Sequence, residues 1–520
     1  MIEVTTFDFR ADTLLKLKKF HYGTDWPAVY FLENGKEAYI GEAVNVLRRG
    51  KEHLKNPDRQ RLKKIHILSD FEFNKSASLD IESWLIQYLS ADNKFKLQNG
   101  NGGLKNHSYF DRPKYEAKFE QLWEDLRVAG LAQKTLLELR NSDLFKYSPY
   151  KALNEDQIEV VGVLMAEIKA KKISTHLVHG GAGTGKTILA TYLMKQLIGD
   201  QHLDLKIALV VPMTSLRKTL RQVFRSIEGL NSNMILGPSD VFKADYDLLI
   251  VDEAHRLKKR RNISNYGSFD INNKKLGLDN NGTELDWIMR NSKHQIFFYD
   301  EHQSVKPSDI GPNKFKELDA IEHNLAQQMR VKGGDQYINF IHSLFSSHPT
   351  LYKNHEDYDV RFCEKLEPMI GLIKEKEKEH SLARMVAGYA WDWASKKDPN
   401  AHDIELDGLK LKWNSCIEGW VNSKNAINEI GCIHTVQGYD LNYVGVIIGP
   451  ELSYDFETKE FIFKRKLYKD KNGHVGVRDE EELKKYIINI YKTLLTRGIR
   501  GTYVYVVDKN LREYLRDYFS

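Results

Sequence analysis

Leu177-Val178-His179-Gly180-Gly181-Ala182-Gly183-Thr184-Gly185-Lys186-Thr187-Ile188-Leu189-Ala190 is the stretch from which the fold of this 520-residue chain is read. An apolar run ends at Gly180, glycines alternate with small residues, and a helical pattern begins at Lys186. Strand, loop and helix with the spacing G-x-x-x-x-G-K-T predict a phosphate-binding loop. Glycines at 180, 181, 183 and 185 let backbone N–H groups curl around phosphate oxygens, and the helix N-terminus adds its positive end. Lys186 reaches the β- and γ-phosphates and Thr187 ligates Mg²⁺. The expected cofactors are ATP and Mg²⁺.

Outward from the loop, strand and helix alternate. Apolar runs at Ile207-Ala208-Leu209-Val210-Val211, Tyr246 to Val251 and Gln295 to Tyr299 are separated by helical patterns. This predicts a doubly wound parallel sheet with its ligand at the strand C-termini. Asp252-Glu253-Ala254-His255 ends one strand and places Asp252 near Mg²⁺, with Glu253 to orient the attacking water. The basic run Arg256 to Arg261 opens a segment without periodicity that reaches Gly282; it reads equally as a mobile phosphate-gripping loop and as a solvated, partly disordered insertion. Asn154 with Gln157 three residues later is a capping-box pattern. A second α/β pattern follows residue 381, with strands at Ala383–Gly388 and Tyr443–Gly449, a helix at Tyr491–Arg500, and a last strand from Thr502. Trp391, Trp393, Trp413 and Trp420 read as base-stacking platforms or, more simply, as core.

The ordered set Gln157, Lys186, Asp252-Glu253, Asp300-x-x-Gln303, Leu325-Ala326-Gln327-Gln328-Met329-Arg330, Thr435/Gln437/Gly438 and Leu495-Thr496-Arg497 resembles superfamily 1 helicases. The segments Ala387-Gly388-Tyr389-Ala390-Trp391, His434 to Gly438 and Leu495 to Gly498 look like the DUF2075 branch, related to the Schlafen helicase domain. Asp440 stands where many members have glutamate. The resemblance implies that Gln157 reads adenine, Gln303 senses the γ-phosphate, and Gln437 and Gly438 contribute to the nucleotide site. It also implies that Arg330, Arg497 and Arg500 serve the phosphates, and that a strand lying across two lobes is stepped along as ATP turns over.

The N-terminal hundred residues read separately. Asn34-Gly35 between Trp26–Leu32 and Glu37–Gly41 is a strong hairpin signal. With Asn34-Gly35 as the loop, Glu33 pairs with Lys36 and Tyr30 falls opposite Tyr39. A helix over Val44–Leu54 carries Arg49 and His53 on one face, and a second over Leu79–Leu89 carries Glu82. The segment 25–105 resembles the GIY-YIG nucleases: Ala28-Val29-Tyr30 stands for the first motif, Tyr39-Ile40-Gly41 is an intact second one, Arg49 follows Gly41 by eight and His53 follows Arg49 by four. The resemblance implies that Glu82 holds one Mg²⁺, Tyr30 is a base or relay, Tyr39 positions, and Arg49 stabilises phosphorane charge; Asn99 or Asn101 is the closing asparagine.

Hydrophobic residues make up 41% and charged residues 29%, and the net charge is +5. That balance permits nucleic acid as a partner without requiring it. Cys363, Cys416 and Cys432 form no C-x-x-C pair, and no apolar run approaches ~20 residues. The expectation is a cytoplasmic protein with no membrane partner, acting on DNA, with a homo-oligomer or a defence-system protein as further candidate partners. The expected fold is α/β multidomain: a small α+β GIY-YIG nuclease domain (1–110), a helical connector (111–150), a RecA-like lobe (151–345), a linker (346–380) and a second RecA-like lobe (381–520). The expected activity is an ATP-dependent DNA helicase or translocase with a fused Mg²⁺-dependent endonuclease, in anti-phage defence or repair. The competing readings are an ATP-gated nuclease switch without translocation and a binding scaffold with a dead nuclease.

Overall fold

A computed structural model of the chain describes residues 1–99, 109–170, 172–353 and 355–519. Asn101 and the glycines of the 100–103 loop lie outside them. The chain divides into two compact units: Met1–Met165 with Ile188–Asp204 and Thr219–Met234, and Ala166–Thr187 with Leu205–Lys218 and Ile235–Ser520. Among the described residues no helix is long and apolar enough to cross a membrane.

The first unit holds a five-stranded sheet of β1 (Glu3–Asp8), β2 (Ala28–Glu33), β3 (Glu37–Ala43), β4 (Lys64–Ser69) and β5 (Lys96–Leu97), in the order β1-β4-β2-β3-β5. All neighbours are antiparallel except β3 and β5. Two helices frame it, Val46–His53 and Lys75–Asp92, started by the side chains of Asn45 and Asn74, which accept from Arg48 N and Ala77 N. The hairpin register is two residues off the expected one: Tyr30 pairs with Gly41, and Tyr39 with Leu32. Asn34 is the cause. Its side-chain oxygen accepts from the Lys36 and Glu37 amides at 3.0 and 2.8 Å, so the turn closes one residue later than an Asn-Gly loop would. A shift of two preserves faces, so both tyrosines still project from one side, ring centroids 6.3 Å apart.

The end of the expected helical connector holds two short helices, Leu136–Asn141 and Asp143–Lys146, because Ser142 adopts an extended backbone and caps the second with its hydroxyl. Helix Glu155–Lys169 follows.

The second unit carries two all-parallel sheets. β6 (Thr175–Gly180), β7 (Ile207–Val210), β8 (Ile235–Leu236), β9 (Tyr246–Val251), β10 (Ser292–Tyr299) and β11 (Ile321–Leu325) run in the order β11-β6-β10-β9-β7-β8. The side chains on one face of this sheet, Leu177, Val210, Leu249, Val251 and Phe297 among them, form a buried cluster with Phe269, Trp287, Ile288 and Phe315. β12 (Asp359–Phe362), β13 (Ala383–Ala387), the hairpin β14 (Ile404–Leu406) and β15 (Leu409–Leu411), β16 (Ile430–Gly431), β17 (Leu441–Ile448), the hairpin β18 (Leu452–Asp455) and β19 (Glu460–Phe463), and β20 (Gly498–Val506) complete the chain. The second parallel sheet has the order β12-β20-β17-β13-β16.

Three expectations are corrected. The stretch 346–380 is no linker beyond Tyr358: β12 pairs with β20, and the helix Leu366–His380 buries Leu366, Met369 and Ile373. The helix expected over Tyr491–Arg500 ends at Leu495, and Gly498–Arg500 already belong to β20. The segment Arg256–Gly282 is ordered by its own charges: Arg256 pairs with Asp309, Arg260 with Asp270 and Arg261 with Glu482, while helix Tyr266–Lys275 sets Phe269 against Trp287 at 4.6 Å. Trp413 and Trp420 are buried core.

Candidate functional site

In the first unit, Tyr30 is buried and its hydroxyl shares a hydrogen bond of 2.8 Å with His53 Nε2. The Tyr39 ring packs on His53 at 4.9 Å. Gly41 is required by this packing, since a Cβ there would collide with the Tyr30 hydroxyl. Burial pushes the Tyr30 phenol well above its usual range, Tyr39 adding to the effect, and burial lowers His53 to about 4. His53 is therefore neutral at physiological pH. Arg49, 45% exposed, donates to Glu52 at 2.7 Å. Burial and the neighbouring Glu42 raise Glu82 to about 7, and its carboxylate is an oxygen donor of the kind hard divalent ions take, which fits one such ion held there. Asn99 brackets the backbone of Ile40, accepting from its N–H at 3.0 Å and donating to its C=O at 2.7 Å, which prolongs the β3–β5 pairing.

Helix Glu155–Lys169 begins with the expected reciprocal cap: Asn154 Oδ1 accepts from Gln157 N at 2.9 Å and Gln157 Oε1 from Asn154 N at 3.2 Å.

In the second unit the phosphate loop leaves the C-terminal end of β6. Gly183 and Gly185 take φ of 83° and 80°, which turns successive amides inward. Lys186 Nζ donates to the Gly180 and Gly181 carbonyls at 2.6 and 2.8 Å and lies 3.5 Å from Asp300 Oδ2. Since β9 and β10 run parallel to β6, their ends bring Asp252 and Asp300 to the same edge. Thr187 Oγ1 donates to Asp252 Oδ2 at 2.7 Å, a hydroxyl and a carboxylate in contact, which is the oxygen donor set Mg²⁺ takes beside phosphates. Asp252 is fully buried; burial and the adjacent Glu253 push it up to about 7. Glu253 holds a left-handed backbone (φ 53°) that turns its carboxylate back toward the site, 2.9 Å from His255 Nε2. Against its own burial, His255, Lys186 and Arg497 keep Glu253 ionised.

A relay runs from the loop into the second sheet. Gln303 Nε2 donates to Asp300 Oδ2 at 2.6 Å, and Arg497 Nη2 donates to Gln303 Oε1 at 2.9 Å. Gln437, from the segment after β16, approaches the Gln303 carbonyl at 3.5 Å. Arg497 is 1% exposed and also donates to the carbonyls of Thr493 and Tyr439. Arg330 packs over Gly183, where a Cβ would come within 2.7 Å of the arginine Cβ, and its Nε lies 2.5 Å from Asp440 Oδ1. Arg330 Nη1 is buried with no hydrogen-bond acceptor among the described residues. A buried cationic donor without an acceptor, beside a phosphate loop, fits an anionic ligand. Gly438 has φ of 87°. Arg500 lies in β20, where its charge acts on His380 and Tyr443, and no hydrogen bond of the relay runs to it among the described residues.

Near the relay opens a cleft of about 430 Å³, lined by Thr214, Ser215, Arg256, Lys258, Lys306, His434 and Gln437, with Met213, Ile263 and Ile417 as apolar wall. Among the described residues no cluster of three His, Cys, Asp or Glu forms a cation cage.

Residues 174–508, well over half of the chain, match the family described as Schlafen group 3, DNA/RNA helicase domain. The chain belongs to this family. A relative from Saccharomyces cerevisiae, the uncharacterized protein YPL245W, is 26% identical over 392 residues, covering 65% of this chain and 83% of the relative. Among solved structures, an arterivirus nonstructural protein 10 helicase aligns at 12% identity and TM-score 0.30, covering 69% of this chain and 64% of its own length. The Pif1 helicase from Bacteroides aligns at 11% identity and TM-score 0.30, covering 68% and 93% respectively.

In the helicase domain, motif spacing points to Glu253, Gln303 and Arg330 but not to the groups that hold them. His255 orients Glu253, Asp300 joins Lys186 to Gln303, and Asp440 receives Arg330. His255 and Asp300 belong to the motifs themselves, where a signal was present. Asp440 becomes a partner of Arg330 through folding alone.

Proposed function

We propose that the chain is an ATP-dependent nucleic-acid motor of superfamily 1 type, of the DUF2075 branch and acting on DNA, with an Mg²⁺-dependent GIY-YIG nuclease in residues 1–110. On this reading the motor lobes are 151–345 and, extended to take in β12, 359–520, joined by a short linker, with residues 111–150 as connector. The observation that carries the motor is the relay Lys186–Asp300–Gln303–Arg497, which ties the phosphate loop to the arginine just before β20 of the second parallel sheet. Lys186, Arg330 and Arg497 bind the triphosphate, Gln157 reads the adenine, and Gln437 and Gly438 support the site. Thr187 and Asp252 would hold Mg²⁺, which supplies charge neutralisation at the transferring phosphoryl. Glu253 orients the attacking water, and Gln303 passes the presence or loss of the γ-phosphate to Arg497. Arg500 contributes at most at long range. A strand lies in the cleft, its phosphates on Lys258 and Lys306 and its bases on the apolar wall.

For the nuclease, Glu82 would hold Mg²⁺, which supplies Lewis acidity at the scissile phosphate. Tyr30 serves as a relay, since its raised pKa keeps the phenol protonated. As it takes a proton from the attacking water, it passes its own to neutral His53. Tyr39 positions the water, and Arg49 leaves Glu52 to stabilise the phosphorane.

Substituting Lys186→Ala and Tyr30→Phe separately tests both halves. DNA-stimulated ATP hydrolysis and strand displacement lost in Lys186→Ala, with cleavage lost in Tyr30→Phe, are expected. Cleavage that needs ATP binding but not hydrolysis, without strand displacement, would favour an ATP-gated switch. Cleavage indifferent to Tyr30→Phe refutes the nuclease. Pairing a motor with a cutter suits anti-phage defence or DNA repair; unchanged phage resistance and unchanged survival of DNA damage on deletion of the gene would count against both.

A further inference from the structure

We infer that Arg59, on the loop between the helix Val46–His53 and β4, is a second phosphate-binding guanidinium of the N-terminal site, and that it also positions Tyr39; the inference rests on the nuclease reading of that site. The neighbouring arginines each have a carboxylate partner. Arg48 and Arg49 pair with Glu52, and Arg61 with Asp58 and Glu37. Arg59 is half-buried and has no carboxylate within ion-pair distance among the described residues. Its guanidinium carbon instead lies 3.9 Å from the centre of the Tyr39 ring.

The placement is built, not incidental. Gln98, from the residue after β5, accepts from Arg59 Nη1 through its side chain and from Nη2 through its carbonyl at 3.3 Å. Gln98 is itself fixed by donation to the Asp58 carbonyl at 3.1 Å, to Glu37 at 3.2 Å, and from its backbone to the Ala38 carbonyl at 2.8 Å. A guanidinium has five N–H donors in a planar fork. Two are directed at Gln98, and Nε is buried with no acceptor among the described residues. An unneutralised arginine, stacked on the ring of a site tyrosine and with donors to spare, has the chemistry of a phosphodiester clamp. Arg59 therefore takes a non-bridging oxygen of a strand phosphate next to the one that Arg49 serves, and the stacked ring keeps the Tyr39 hydroxyl in line.

The test uses the full chain. Arginine modification by phenylglyoxal, read peptide by peptide by mass spectrometry, is compared with and without a branched DNA duplex in Ca²⁺. Arg59 is expected to be shielded at least five-fold, with Arg48 and Arg61 changing less than two-fold. Arg59→Lys, which keeps the charge but loses the fork and the stacking, is expected to cut the same duplex in Mg²⁺ at least ten-fold more slowly, while its melting temperature stays within a few degrees of wild type. Equal modification of Arg59 with and without DNA overturns the inference, and it needs no variant to fold. Wild-type cleavage rates in both Arg59→Lys and Arg59→Gln overturn it too. If Arg59 is shielded but Tyr30→Phe cuts as fast as wild type, the nuclease mechanism fails and the phosphate contact stands.

Discussion

Replacing Arg497 by lysine keeps the positive charge and removes the fork. In the native chain that fork serves the Gln303 side-chain oxygen and the carbonyls of Thr493 and Tyr439, all at a residue 1% exposed. A lysine ammonium reaching for Gln303 leaves the two carbonyls behind. The Thr493 carbonyl keeps the Thr496 hydroxyl as a donor at 3.2 Å, so the loss at the Tyr439 carbonyl sets the cost, about 1–3 kcal/mol, and the variant should melt a few degrees lower. The catalytic loss is larger. An arginine supplied to a transferring phosphoryl group is worth about 10³–10⁵ in rate, or about 4–7 kcal/mol at 1.36 kcal/mol per decade. The assay is phosphate release at 25 °C with saturating single-stranded DNA, beside circular dichroism at the same temperature to show that the variant is folded. Combining Arg497→Ala with Gln303→Ala should cost less than the sum of the two, because both remove one hydrogen bond. A folded Arg497→Lys protein that hydrolyses ATP within three-fold of wild type would refute the placing of this arginine at the γ-phosphate. Strict additivity of Arg497→Ala with Gln303→Ala would refute the relay.

Glu253→Gln should keep nucleotide affinity within a few fold and lose about 10²-fold or more in turnover, the scale of a lost general base; fluorescent-nucleotide titration beside phosphate release checks this, and a variant that turns over normally removes Glu253 from the water. Gly41→Ala forces a methyl against the Tyr30 hydroxyl. Overpacking of this kind costs about 1–3 kcal/mol, so cleavage and thermal stability should fall together, and a variant that melts and cuts like wild type would mean that Tyr30 does not lie over Gly41. His53 is held near 4, below the ordinary histidine value, mainly by burial. A depressed pKa adds stability that is present above the unfolded value near 6.5 and lost as pH falls toward 4. Melting curves from pH 7 to 4 should therefore show a steeper loss for wild type than for His53→Gln, and parallel curves would contradict the buried, neutral imidazole.

Much of the helicase domain was legible from local sequence, because its chemistry sits at strand ends. An apolar run closed by Asp252-Glu253, or by glycines and Lys186, announces both the strand and what stands at its tip. Parallel strands share one C-terminal edge, so the residues at those tips must meet. Register and partnership are another matter. The choice between Tyr39 and Gly41 as cross-strand neighbour of Tyr30 turned on the hydrogen bonds that the Asn34 side chain accepts inside the turn, which dipeptide preference does not carry. The basic run at Arg256–Arg261 looks solvated when its charges are counted alone; Asp309 and Glu482, far along the chain, neutralise it.

The sequence by itself determined the phosphate loop, the acid pair, the two parallel sheets in outline and the tyrosine hairpin, since each depends on periodicity and on residues within a few positions. Only the tertiary structure decided which partner each charge takes. Arg497 and Gln303, Arg330 and Asp440, and Arg59 over Tyr39 are pairs that long-range packing brings together. An arginine's role depends on whether packing gives it a carboxylate, and nothing local in its own stretch of chain records that.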